Sequence, residues 1–199
     1  MDLNLKRTNK KKDTKIYSIY SRCLITRKIT LPILAIGKNI KENIENVISA
    51  NFEGKCVIEG YIKPHSSKII SHSSGIINRG VNISFEVIFE CEVCFPVEGM
   101  LISCVAKNIT KAGIKAESSF DIPSPIVVFI AKDHHFNNAY FSDIKEGDKI
   151  TVRVIGQRFE LNDKFISIIG ELVKPKPERT FPNDNLKKNK PKLIISDEN

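Results

Sequence analysis

The stretch 95-FPVEGMLISCVAKNITKAGIKAE-117 decides how the chain is read. It begins with Phe95 and Pro96, places Gly99 shortly after, runs apolar from Met100, breaks at Gly113 and resumes. A glycine at each end of a short β-rich segment marks backbone that curves or turns tightly, where a side chain would obstruct. Met100–Lys107 reads as a strand, NITKAG as a turn and Ile114–Ala116 as a short return. Further on, Ile126–Ile130 (IVVFI) reads as a buried strand. A longer loop, AKDHHFNNAYFSDIKEGD, then leads to KITVRVIG, where Ile150, Val152 and Val154 share one face. ELNDK is a hairpin turn and FISIIGEL a closing strand. Five short strands punctuated by Gly, Asn and Asp within residues 96–173 fit a small closed barrel.

Upstream, SFEVIFECEVCF has the clearest alternation in the chain. Phe85, Val87, Phe89, Cys91, Val93 and Phe95 fall on one face, and Ser84, Glu86, Ile88, Glu90, Glu92 and Cys94 on the other. Period two with an apolar and an acidic face is a half-buried strand. In KNIKENIENVISAN, Ile40, Ile44, Val47 and Ile48 recur at helical spacing and predict an amphipathic helix ending before the turn at Asn51 to Gly54. IYSIYSRCLITRKITL reads as one or two strands, GKCVIEGYIKP as a strand stopped by Pro64, and HSSKIISHSSG as a Ser/His-rich loop.

The formal charge of +8 is spread unevenly. Residues 1–15 carry six Lys/Arg against two Asp, and residues 174–199 carry seven Lys/Arg against four Asp/Glu, leaving 18 basic and 17 acidic residues for the body. The basicity therefore lives in the tails and says nothing of a basic groove on the folded part. Both tails are polar and lysine-rich, and the second holds four prolines before Leu193, so each is expected to be disordered. The close of the second, LIISDEN, is apolar with an acidic end. No apolar run approaches a membrane span, and the basic N-terminus lacks the apolar region of a secretory signal. Five cysteines without an export signal read as reduced thiols. The heavy use of Ile, Lys and Asn reflects an AT-rich genome and points to source, not mechanism.

The spacing Gly99–Leu101–Val105–Ile109–Gly113 resembles the opening strand of an S1-type OB fold. EGDKITVRVIG (146–156) resembles that domain's Gly-Asp strand entry, and KFISIIG its closing strand. Before the barrel, Gly54, Cys56, the GYI at 60–62, Gly75, Gly80 and FEVIFECEV run directly into CFPVEGML. That order over residues 15–173 resembles the stalk subunit of multisubunit RNA polymerases, the seventh subunit of eukaryotic polymerase II and its archaeal counterpart. The fold class expected is an α+β tip domain (an antiparallel sheet with one helix, 16–95) followed by an all-β five-stranded S1-type OB barrel (96–173). The resemblance implies a non-catalytic subunit whose tip docks on the polymerase core and its largest subunits. A second stalk subunit would pack along the seam, and nascent single-stranded RNA would meet the barrel. Docking contacts transferred from the family are Gly60, Tyr61, Ile62 and Pro64, with the loop up to Gly80. The sequence departs from the family at Phe95, where a basic residue is usual, and at Glu98. Composition and extra tails point to a large cytoplasmic DNA virus, placing the protein in virion and host cytoplasm; an AT-rich protist would place it in the nucleus.

Candidate chemistry is sparse. CEVC (91–94) has zinc-knuckle spacing, but alternation sets Cys91 and Cys94 on opposite faces, so no metal site is expected. Cys23, Cys56 and Cys104 read as core or near-core residues. His134 and His135, beside Asp133, read as a solvated loop, and GIINRG (75–80) lacks the spacing and lysine of a phosphate loop. No cofactor and no catalytic residue is assigned. For RNA the candidates are Lys107, Lys111, Lys132, Phe136, Arg153, Arg158 and Lys164. Residues 96–173 nonetheless hold nine basic against ten acidic residues, which predicts weak, sequence-tolerant and salt-sensitive binding. Two rivals remain: a stand-alone RNA-binding or translation-control protein, and an interaction protein that borrows the barrel for another partner.

Overall fold

The computed structural model describes residues 18–174, apart from 38, 79, 120 and 136–138. The expectation of disorder in residues 1–15 and in the second tail beyond 174 lies outside those residues.

The tip runs β1 (Tyr20–Pro32), α1 (Ile40–Phe52), β2 (Cys56–Val57), β3 (Gly60–Ile62), β4 (Lys68–His72), β5 (Ile76–Ile77) and β6 (Asn82–Cys94). All of β1 pairs antiparallel with β6, from Tyr20 opposite Cys94 to Pro32 opposite Asn82. The other edge of β6 receives β5, β4 and β3 in turn, and β2 extends the sheet beyond β3. Alternation along β6 turns Phe85, Val87, Phe89, Cys91 and Val93 inward, where Ile44 and Ile48 of α1 cover them. The ring of Phe52, in the last turn of α1, lies 6.2 Å from that of Phe89. Helical and strand periods thus meet on one apolar face, as their spacing predicts.

The Ser/His-rich segment expected to be a loop forms β4 instead, and β5 follows directly after it. Its order comes from backbone partners on β6, because open N–H and C=O groups on a strand edge favour pairing. Beside β4, the Ser73 N–H donates to the Glu86 carbonyl (2.8 Å), and the Ser73 hydroxyl accepts from the Glu86 N–H (3.0 Å). Glu53, just after α1, ties the preceding loop to the helix. Its carboxylate accepts from the Ser49 hydroxyl (2.7 Å) and from the backbone N–H groups of His65 and Ser67 (2.9 Å each). Burial raises the Glu53 pKa, but these bonds to the charged form outweigh it and hold the group below the ordinary carboxylate value.

The second half is a closed barrel of β7 (Leu101–Ile109), β8 (Gly113–Ser118), β9 (Ile126–Ala131), β10 (Lys149–Arg158) and β11 (Ile166–Val173). Its strand order is β10-β11-β9-β8-β7, with β7 returning to β10; β11 and β9 run parallel and the other pairs antiparallel. The two glycines that frame the opening stretch act differently. Gly99 takes a left-handed φ of +81° in open space, while a Cβ on Gly113 would lie 2.2 Å from the Ile130 carbonyl oxygen. The long loop after β9 is partly regular, with one 3-10 turn (Lys132–His134) and α2 (Ala139–Asp143).

The barrel core does not stop at the junction. Ile19, Cys56, Tyr61 and Cys94 from the tip side belong to the same buried cluster as Ile102, Cys104, Val128 and Ile166. β6 therefore serves two cores, with Cys91 in the first and Cys94 in the second. Backbone bonds add to the join: the Cys56 N–H donates to the Asp163 carbonyl (2.8 Å), and the Asn162 N–H to the Cys56 carbonyl (2.9 Å). Phe95 meets Phe159 edge to face at 6.2 Å, an apolar contact at the junction.

Two outcomes follow. Gly113→Ala costs roughly 3 kcal/mol, because a carbonyl oxygen must move, whereas Gly99→Ala costs about 1 kcal/mol, for its φ alone; urea midpoints at unchanged slope read the difference. Burial pushes the thiols of Cys91, Cys94 and Cys104 up to about 12 and, with Asp163 adding to the effect, that of Cys56 up to about 11. These four stay protonated and enclosed at pH 8, so a thiol reagent labels Cys23, the one cysteine not fully buried, well before the rest. The raised folded values place their contribution to stability below the unfolded thiol pKa of about 8.5. That contribution fades as pH climbs from there toward 12, and the midpoint falls with it.

Candidate nucleic-acid interface and docking surfaces

A groove of about 590 Å³ lies where tip and barrel meet. Barrel side chains on its walls include Lys107 at a bulge in β7, Lys115 on β8, and Lys164 and Phe165 from the β10–β11 hairpin. Val127, Ile122 and Pro123 add apolar surface, and Tyr61 lines it from the tip. Lys107, Lys115 and Lys164 are exposed, and no ion pair ties them to a carboxylate among the described residues. Lys55, also on the wall, is committed to the Ala50 carbonyl at the end of α1 (3.0 Å). Two acidic residues share the groove, Glu117 and Asp121. Asp121 accepts from the Tyr20 hydroxyl; burial, then that neighbouring charge, raises the Tyr20 pKa well above its ordinary value.

Of the sequence-derived RNA candidates, the structure thus brings Lys107 and Lys164 together. Lys132 lies beside the Lys111 turn, since its N–H donates to the Ala112 carbonyl (3.0 Å). Arg153 sits elsewhere on the wall: β10 places it opposite Leu101 and Glu171, and its guanidinium pairs with Glu171 at 3.2 Å. Arg158 pairs with Glu160 at 3.1 Å. Exposed pairs of this kind add little stability but reduce the charge open to a phosphate. Phe136 lies outside the described residues. Sequence reasoning missed Lys115, although it stands between buried Ile114 and Ala116, the same alternation that marks Arg153 as outward-facing.

The docking residues fare differently. Gly60, Tyr61 and Ile62 form β3 between β6 and β2 and are all buried, Tyr61 at 2% and Ile62 at 1% exposure. The Tyr61 side chain enters the barrel core and that of Ile62 the tip core; of the four residues only Pro64 is exposed. Several exposed apolar residues of the tip lie at its far end, while Leu24, Ile58 and Ile70 are exposed elsewhere on it. Ile33 and Leu34 follow β1, Ile76 and Ile77 form β5, and Val81 precedes β6, with the Ile33 N–H bonded to the Val81 carbonyl (2.7 Å). Leu34 is 95% and Ile77 72% exposed.

His135 is a correction to the solvated-loop expectation, while His134 stays exposed. The His135 ring is buried, stacked on Phe141 at 5.4 Å, and its Nε2 accepts from the Leu172 N–H (2.9 Å). That bond leaves the proton on Nδ1, which donates to the Ala131 carbonyl (2.8 Å). The ring closes the loop after β9 onto β11 and is not placed as an acid, base or ligand. Cys91 and Cys94 face different cores, and among the described residues no group of three or more His, Cys, Asp or Glu is placed to hold a metal. No helix among them is long and apolar enough to cross a membrane.

No family model matches the sequence. Individual relatives do. The putative DNA-directed RNA polymerase subunit L376 of Acanthamoeba polyphaga mimivirus is 28% identical over 194 residues, covering 85% of this chain and 91% of the relative. DNA-directed RNA polymerase II subunit 7 of Arabidopsis thaliana is 23% identical over 177 residues, covering 77% of this chain and 98% of the relative. Subunit RPB7 of Glycine max is 22% identical over the same shares. Such coverage is too long to fit within tip or barrel alone. Over most of its length the chain is thus similar to a viral RNA polymerase subunit and to subunit 7 of plant RNA polymerase II.

Proposed function

We propose that this protein is a non-catalytic stalk subunit of the DNA-dependent RNA polymerase of a large DNA virus, docking through its tip and holding emerging single-stranded RNA against its barrel. The observation that carries the reading is the match of tip and barrel together to polymerase subunits, viral and plant. A barrel recruited for another purpose would have no need of the tip. The AT-rich composition and the mimivirus relative support a viral source, and with it a place in virion and host cytoplasm.

Docking falls to the far end of the tip. Ile33, Leu34, Ile76, Ile77 and Val81 expose apolar side chains there, surface of the kind that marks a protein contact. A core subunit of the polymerase is its partner. RNA contact falls to the junction groove, where three lysines with no ion pair among the described residues stand beside apolar side chains. The barrel's slight excess of acidic residues keeps this contact weak, and attachment to the polymerase supplies the local concentration. That weakness is what disfavours a stand-alone RNA-binding role.

Tagged full-length protein purified from its native expression system is expected to bring down the two largest polymerase subunits in stoichiometric amounts. Leu34→Asp with Ile77→Asp abolishes that recovery without shifting the melting temperature, because both side chains are exposed. Undiminished recovery would move docking to another surface, and a lone protein would sink the polymerase role. For RNA, three lysine–phosphate contacts give a log–log salt slope of about −2, which Lys115→Ala reduces by about 0.7.

A further inference from the structure

The segment 193-LIISDEN-199 has no place in the reading so far, yet its chemistry mirrors that of the junction groove. The groove offers apolar surface from Val127, Phe165 and Ile122, the last fully exposed, beside the ammonium groups of Lys107, Lys115 and Lys164. The segment offers three consecutive aliphatic residues, Leu193, Ile194 and Ile195, followed after one serine by Asp197 and Glu198. We propose that residues 193–199 dock in this groove and compete there with RNA, making the protein its own weak inhibitor. The competition rests on the groove being the RNA site; the docking itself does not.

Reach and charge support this occupant. Residues 174–192 separate the end of β11 from Leu193. Nineteen residues extend up to roughly 60 Å, about twice the width of a domain of this size. The intervening stretch is lysine- and proline-rich, so its own charge matches that of the lysine-lined wall and the acidic end is the part drawn to it. Of the two carboxylates in the groove, Asp121 is already held by Tyr20, so Glu117 is the one acidic side chain there without that tie to oppose the segment. A phosphate chain and an acidic peptide present the same charge to the same lysines, and the aliphatic residues give the peptide a hold on the apolar wall that RNA fills with bases. Tethering makes the contact effective even when the free peptide binds weakly.

The test uses the full chain and its Ile194→Ser, Ile195→Ser variant, which removes the aliphatic hold and leaves the charge unchanged. Backbone amide NMR shifts are compared first, without RNA. The expected result is a change at Lys115, Val127 and Phe165. Titration with a uridine oligonucleotide at moderate salt then shows affinity rising about tenfold in the variant, as it does when a competitor occupies the site nine-tenths of the time. Groove amides unmoved by the substitution overturn the proposal, as do changes confined to the free edge of β1 or to the far end of the tip. Amides that move while neither form binds the oligonucleotide uphold the docking and sink the RNA reading instead. Amides unmoved by the substitution but shifted by the oligonucleotide make RNA the groove's occupant and exclude the tail.

Discussion

Strand β6 is the element on which the rest of the molecule depends. It pairs with β1 along its whole length and with β5, β4 and β3 on its other edge, so of the tip strands only β2 lacks a direct bond to it. Its inward residues supply one core, and Cys94, one step out of that phase, enters the other. The outward residues have a separate task. Glu90 and Glu92 face Arg22 and Lys63, and Lys63 also stands 4.8 Å above the Tyr20 ring. Tip and barrel are therefore not beads on a linker: the strand that organises the first passes into the core of the second.

What was legible in the sequence is what side-chain period can encode. The alternation of β6, the aliphatic spacing of α1 and the glycine-punctuated strands of the barrel each gave a pattern that the fold repeats. Less legible were elements ordered by backbone partners far away in the chain. In β4 only Ile69 is buried and β5 buries nothing, so neither offers a period to read, and the open edge of β6 that orders them is invisible in their own residues. His135 is a similar case, since its partner Leu172 lies 37 residues away. The GYI segment is too short to show a period, yet it forms the most enclosed strand of the tip.

The candidate site was legible in part for a different reason. Net charge sums over a whole surface, whereas a ligand meets one patch of it. The barrel's near-neutral total hides three lysines on one wall, while Arg153 and Arg158 stand beside Glu171 and Glu160. Alternation shows that a side chain points outward but not which wall it stands on. That depends on barrel closure, with β10 between β7 and β11 and away from β8.

The dependence of the tip on β6 also sets an order of events during synthesis. β1 leaves the ribosome first, but its partner residues run from Asn82 to Cys94, so a nascent chain shorter than that holds a thirteen-residue strand with nothing to pair against. Contacts this distant in sequence form slowly, and an unpaired strand is exposed to association while it waits. Burial of Cys94 and Tyr61 waits longer still, for barrel residues that follow. The N-terminal half is thus first to be made and among the last to be finished, and a ribosome stalled midway carries an open sheet edge, not a folded domain.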